Sequence, residues 1–254
     1  MDRRLDMSTG QALELACSYH AGIFAERKLG FKNEPFHWEW YELEMESNRL
    51  CVVAPREHAK SEVFSVISTA HHVIYRPSSW QFIFSATIEQ SKLLLERAVS
   101  MIQQTNPMLI EDAKKWSTSD IIFGNYSRVT AASVGRSIRG VHPDRIVGDD
   151  VLTDASTATQ LQREKIERWW FGTIAPLAHP GATRPLGWGS VKPKGNGQTL
   201  YHPATKIVLV GTPFHQNDLL MKMKTNSAYT FRRYSAEYDI KNMLDGSWAI
   251  EGNV

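Results

Sequence analysis

The stretch Cys51–Phe64 reads CVVAPREHAKSEVF, and its interpretation decides the fold. An apolar run, Leu50 to Ala54, is of the kind buried in a parallel sheet. A small-residue break follows, and Lys60-Ser61 opens a helix expected over Ser61 to Ala70. This is the shape of a phosphate-binding loop, in which successive backbone N–H groups point inward and a helix amino end adds positive potential. The usual spacing is G-x-x-x-x-G-K-[ST]. Here Ala54 and Ala59 occupy the glycine positions, with Lys60 and Ser61 in register. Alanine crowds a phosphate least among substitutes but resists positive φ. His58 tolerates left-handed geometry better than most residues. An ordinary strand–turn–helix carrying a surface lysine remains the competing interpretation.

Working outward, Ser8 to Lys28 has helical spacing, with Ser8 and Gln11 as a capping box and Gly30 as its stop. A second helix is expected over Trp38 to Glu46. Gln81 to Ser85 reads as a strand, and Thr87 with Gln90 caps a helix to about Gln103. Ile121 to Phe123 and Ser127 to Ser133 form a hairpin about Gly124-Asn125. Arg145 to Gly148 is a short buried strand, and a helix runs from Thr153-Asp154 to Trp169-Trp170. Lys206 to Val210 is a further strand, and Asn217-Asp218 start another helix. Strands alternating with helices, with polar residues at strand carboxyl ends, describe a doubly wound α/β sheet whose ligands gather on one edge.

Three more pieces carry chemistry. DRIVGDD, Asp144 to Asp150, is an apolar strand ending in adjacent acids. Magnesium-assisted phosphoryl transfer needs one carboxylate for the metal shell and another to orient or deprotonate water. Asp149 suits the first role and Asp150 the second, although an exposed Asp-Asp turn is a plain alternative. GRSIRGVHPD, Gly135 to Asp144, brings Arg136 and Arg139 toward that edge, where an arginine stabilises charge on a γ-phosphate. KIVLVGTPFHQNDLL, Lys206 to Leu220, ends its strand at Gly211-Thr212, placing a hydroxyl near the phosphates.

Composition narrows the classes. The chain has 254 residues, 42% hydrophobic and 22% charged, enough for one large domain. A formal charge of +2 gives no strong global field, so any DNA contact must come from local patches. The two cysteines, Cys17 and Cys51, build neither a disulfide framework nor a zinc site, which fits a reducing cytoplasm. No apolar run is long enough to span a bilayer, and none follows MDRRLDMS as a secretory signal would require. His179 to Pro203 is a Gly/Pro-rich insertion, either a solvated loop or an element that touches DNA or a neighbouring subunit.

The combination APREHAKS, SATIEQSKLLLE, GRSIRG, IVGDD and VGTPFHQNDLL resembles the ATPase half of the large terminase subunit of tailed bacteriophages, from about Phe36 to Leu220. In that family the loop is glycine-poor and has an arginine four residues before the lysine, which is Arg56 here. The resemblance implies a P-loop NTPase fold of the additional-strand, helicase-like type, with a central, mostly parallel sheet flanked by helices. It implies ATP as substrate and Mg²⁺ as cofactor. Pro55, Arg56, Glu57, His58, Ala59, Lys60 and Ser61 would bind nucleotide phosphates, and Phe36-His37 the adenine. Ser61 and Asp149 would hold the metal, Asp150 would be the catalytic acid, and Thr212 would couple hydrolysis to movement. Arg139 would be donated to a neighbouring subunit's nucleotide, with Arg56 as the competing arginine in cis.

The implied partners are double-stranded DNA, a portal protein and a small terminase subunit, in a homo-oligomeric ring that is monomeric in isolation, within the host cytoplasm. The expected domains are an ATPase over 1–235, with a leading helical segment 1–35, and a linker or lid start over 236–254. The family's nuclease domain is expected to be absent, and nuclease activity with it. A helicase-like or repair translocase, and a non-catalytic scaffold whose degenerate loop no longer binds nucleotide, are the alternatives.

Overall fold

The computed structural model describes residues 9–180, 204–235 and the backbone of 251–252. The leading segment is two helices, α1 (Thr9–Tyr19) and α2 (Ala21–Leu29), where one was expected. The break is at His20, whose backbone turns extended while its ring Nδ1 accepts the Gly22 N–H 3.0 Å away. A side chain that satisfies an orphan donor starts a new helix. Gly30 stops α2 as expected, at φ 68°. The Ser8 half of the expected capping box lies outside the described residues.

Helix α3 (Pro35–Glu46) leads into β1 (Arg49–Val53). The loop over residues 54–60 follows, then a π-helical stretch Ser61–Ile67 continuing into α4 (Ser68–Tyr75). Strand β2 (Trp80–Ser85) is followed by the long α5 (Ile88–Thr105), which carries the Thr87/Gln90 capping box, and by the one-turn α6 (Met108–Glu111). The hairpin is β3 (Asp120–Ile122) with β4 (Arg128–Ser133), and the acidic strand is β5 (Arg145–Asp149). The next helix is two, α7 (Asp154–Thr157) and α8 (Gln160–Trp169), because Thr159 with Gln162 forms a second capping box inside the expected span. Strand β6 (Lys206–Gly211), α9 (Leu219–Lys222), β7 (Thr230–Arg233) and a two-residue β8 (Glu251–Gly252) complete the order.

The strands lie in the order β3-β4-β2-β5-β6-β1-β7-β8, parallel except for the pairings of β3 with β4 and of β7 with β8. Strand β6 separates β1, which feeds the loop, from β5, which carries the acids. That intervening strand is the feature defining the expected additional-strand arrangement. Strand β7 was not expected, and it covers the outer edge of β1 in parallel register.

Both sheet faces are covered, so strand residues of either parity are buried. Leu50 and Val52 pack with Trp40, Phe64 and Ile83 on one face. Cys51 and Val53 pack with Phe84, Leu209 and Trp170 on the other. Gly148 belongs to this second core for a steric reason: a Cβ there would meet the Trp170 ring at 2.9 Å and Leu209 at 2.8 Å. Glycine lets the indole lie on β5, so it is no sign of a decayed motif.

Candidate functional site

The carboxyl ends of β1, β5 and β6 form one corner of the sheet. Between β1 and the helix, the chain turns through two left-handed residues, Glu57 at φ 68° and Ala59 at φ 57°. His58, which tolerates that geometry, does not adopt it; its two neighbours do. Ala59 stands at the usual glycine position and adopts the glycine conformation there, at a steric cost of about 1–2 kcal/mol. Ala59→Gly removes that cost and adds unfolded-state entropy, so stability should change by a few tenths to about +1 kcal/mol. Denaturant titration reads the sign, since the same substitution in a helix interior would cost about 1 kcal/mol.

The loop is buttressed from behind. His37 is buried, its Nδ1 accepts the Glu34 N–H at 3.0 Å, and its Nε2–H donates to the His58 carbonyl at 3.1 Å. Burial holds its pKa below the ordinary value, in keeping with a neutral ring that donates from one nitrogen only. The Phe36 ring lies 5.5 Å from the His58 ring. Both ring nitrogens of His37 are committed to the backbone, so it acts as a strut for the loop and does not face the cavity.

In front of the loop is a cavity of about 370 Å³, lined by Arg56, Glu57, Ala59, Lys60, Ser61, Glu62, Arg97 and Asp150. That volume falls in the range of small-molecule sites. Lys60 is buried, its ammonium donating to the Pro55 carbonyl at 2.6 Å across the loop. Burial lowers its pKa, opposed by the charges of Asp150 and Asp149.

Beneath the loop, Asp149 is 2% exposed. The Ser61 hydroxyl donates to its Oδ1 at 2.9 Å, and the Ser65 hydroxyl donates to its Oδ2. Ser61 and Asp149 are thus near enough that both would fit one hard, oxygen-seeking cation. Burial, reinforced by the Asp150 charge, pushes the Asp149 carboxyl up to about 6 from an ordinary 3.8, against the hydrogen bonds from Ser65 and Ser61.

The folded chain therefore holds this proton more tightly than the unfolded chain. The stability it confers is complete below about pH 4 and lost as the pH rises through about 6. Asp149→Asn should then stabilise the metal-free protein at pH 7.5 by on the order of 1–2 kcal/mol, with the gap shrinking toward pH 5. Urea titrations at the two pH values check this; a gap independent of pH contradicts it.

Asp150 is exposed and held at φ 44°, with its N–H bonded to the Val210 carbonyl at 3.0 Å. Its carboxylate uses space that Gly211 leaves open: a Cβ on Gly211 would lie 3.1 Å from Asp150 Oδ1. Thr212, next in the chain, donates to the Ala54 carbonyl at 3.3 Å and so ties the end of β6 to the loop entrance. The rest of GTPFHQND is organised by Asp218, which is fully buried. Its Oδ2 accepts the N–H groups of Phe214 and His215, and its Oδ1 accepts that of Met221.

Arg139 is not in this cavity. It is exposed and lines a separate depression of about 240 Å³ with Val141, His142 and Pro176. Three residues at the site were not anticipated: Ser65, Glu62 and Arg97. Ser65 lies four residues after Ser61 and so on the same helix face, a readable signal. Glu62 and Arg97 form an ion pair between the loop helix and α5, and no sequence spacing announces it.

An α/β sheet with the loop on β1, acids on β5 and the extra strand between them is the P-loop NTPase fold. Among solved structures it is similar to an arginine-to-alanine mutant of the large terminase ATPase domain of Thermus phage P74-26. The TM-score is 0.52 at 14% identity, covering 78% of this chain and 72% of that one. The same domain without the mutation gives a TM-score of 0.49 at 14% identity, over 75% of this chain and 85% of that one. No family model and no curated protein matches the chain. The likeness supports the expected fold.

Proposed function

We propose that the chain is the ATP-hydrolysing motor domain of a phage large terminase, which drives double-stranded DNA into a procapsid. The observation carrying this reading is the Ser61–Asp149 contact of 2.9 Å beneath a lysine-bearing loop that opens on a cavity. The likeness in fold to a terminase ATPase domain points the same way.

Lys60 leaves the Pro55 carbonyl to meet the outer phosphates, and the loop N–H groups cradle them. Ser61 and Asp149 would hold Mg²⁺, which would supply charge neutralisation on those phosphates. Asp150, at the cavity's solvent side, orients the attacking water and takes its proton. Arg56 is the cis arginine, because it already lines the cavity. Arg139 serves a neighbouring subunit in a ring, a role suited to an exposed arginine set apart from its own loop. Thr212, bridging the loop entrance and β6, relays the change on hydrolysis. Portal protein and small terminase subunit are the partners this reading assigns, in the host cytoplasm.

The scaffold alternative loses two of its supports. Ala59 adopts the geometry glycine would, and Gly148 makes room for Trp170. The test is phosphate release from Mg-ATP: wild type turns over, and Lys60→Ala falls by roughly 10²-fold or more as its charge leaves the transition state. Equal background in both would favour the scaffold.

A further inference from the structure

The Arg97–Glu62 pair lines the same cavity as Lys60 and Asp150. Arg97 is on α5, its side chain 48% exposed, while the Glu62 side chain is only 16% exposed. Glu62 follows Ser61 directly and lies in the first turn of the loop helix. A carboxylate there occupies the positive potential of a helix amino end, the potential a phosphate would use. Glu62 and an incoming polyphosphate therefore compete for one helix terminus and one guanidinium. A half-exposed ion pair is weakly held, whereas arginine meets phosphate through two parallel, charge-assisted hydrogen bonds. The exchange is downhill once phosphate arrives.

We propose that Arg97 is a nucleotide-phosphate contact held in reserve by Glu62, and that ATP binding transfers its guanidinium from Glu62 to the outer phosphates. This rests on the nucleotide-binding reading above. Two substitutions in one ion pair should then act with opposite signs. Loss of the arginine removes a phosphate contact, and loss of the acid frees the arginine in advance.

Calorimetric titration of the folded chain with Mg-AMPPNP tests this. Arg97→Ala should weaken binding about tenfold, as for a charged hydrogen bond lost. Arg97→Lys, which keeps the charge without the fork, should lose less. Glu62→Gln should bind several-fold more tightly, and that gain should vanish in the Glu62→Gln/Arg97→Ala double variant. If Glu62→Gln tightens binding equally in both backgrounds, the gain is only charge removal and the transfer is refuted. Unchanged affinity in Arg97→Ala refutes it too, and leaves the nucleotide site standing if wild type binds. A wild type that binds no Mg-AMPPNP overturns the nucleotide reading together with this inference.

Discussion

Asp150→Gly is expected to stabilise the fold by a few tenths of a kcal/mol, the strain relief less the entropy glycine adds to the unfolded chain, while lowering ATP hydrolysis by about 10²-fold or more. The two halves have one cause. Asp150 sits at φ 44°, a conformation that a side chain resists and glycine adopts freely. Aspartate tolerates it better than most residues, so the relief is near the low end of the range. Nothing in packing demands an acid here: the residue is exposed, and its backbone N–H, bonded to Val210, is retained in the variant. A strained, exposed acid lining the same cavity as Lys60 is explained if its carboxylate acts in the chemistry, since strain persists where function selects for it. Asp150→Asn separates the terms, keeping the side chain's shape while losing the base, so its hydrolysis should fall by a similar factor. Urea titration and single-turnover phosphate release read the two halves independently. A glycine variant that is less stable than wild type, or that hydrolyses ATP normally, contradicts the assignment.

The same residue shows how far the sequence could be read. The acids at the carboxyl end of β5 were legible as a pair because the apolar run of the strand closes on Asp149-Asp150. The direction of the Asp150 side chain was not, because it depends on a positive φ and on the space left by Gly211, more than sixty residues away in sequence. The parallel strands and their capping boxes were legible from periodicity. The breaks at His20 and at Thr159 were missed, although each carries a local cap signal. Strand β7 has only four residues and one buried apolar position in the described burial pattern, too little to stand out from a loop. The placement of Arg97 against Glu62 depends on how α5 packs beside the loop helix, which no short-range pattern encodes.

Strand β5 also carries the site's structural anchor, and the largest stability effect should come from there. Arg145, at the end opposite the acids, is 1% exposed, with Nε and Nη2 each 2.7 Å from Glu44 Oε1. Its other hydrogen bonds reach Thr69 Oγ1 at 3.1 Å, Gln81 Oε1 at 3.4 Å and the Phe64 carbonyl at 2.6 Å. Glu44 Oε2 accepts from the Ser68 hydroxyl at 2.8 Å. One buried ion pair thus joins α3, α4 and the loop helix to the strand that presents Asp149. Glu44→Ala leaves the guanidinium buried without its counter-charge and should cost about 3–5 kcal/mol, a large part of a typical domain's stability. Replacing both partners, Glu44→Leu with Arg145→Met, removes the uncompensated charge and should recover most of that loss, because apolar residues of similar volume avoid the desolvation penalty. The urea midpoint at constant slope measures both variants. Four steps along the strand separate this anchor from Asp149 by roughly 13 Å, so the double variant should bind nucleotide as wild type does. A double variant as unstable as Glu44→Ala would mean that the hydrogen bonds to Thr69 and Phe64, and not the charge balance, hold this end of the sheet together.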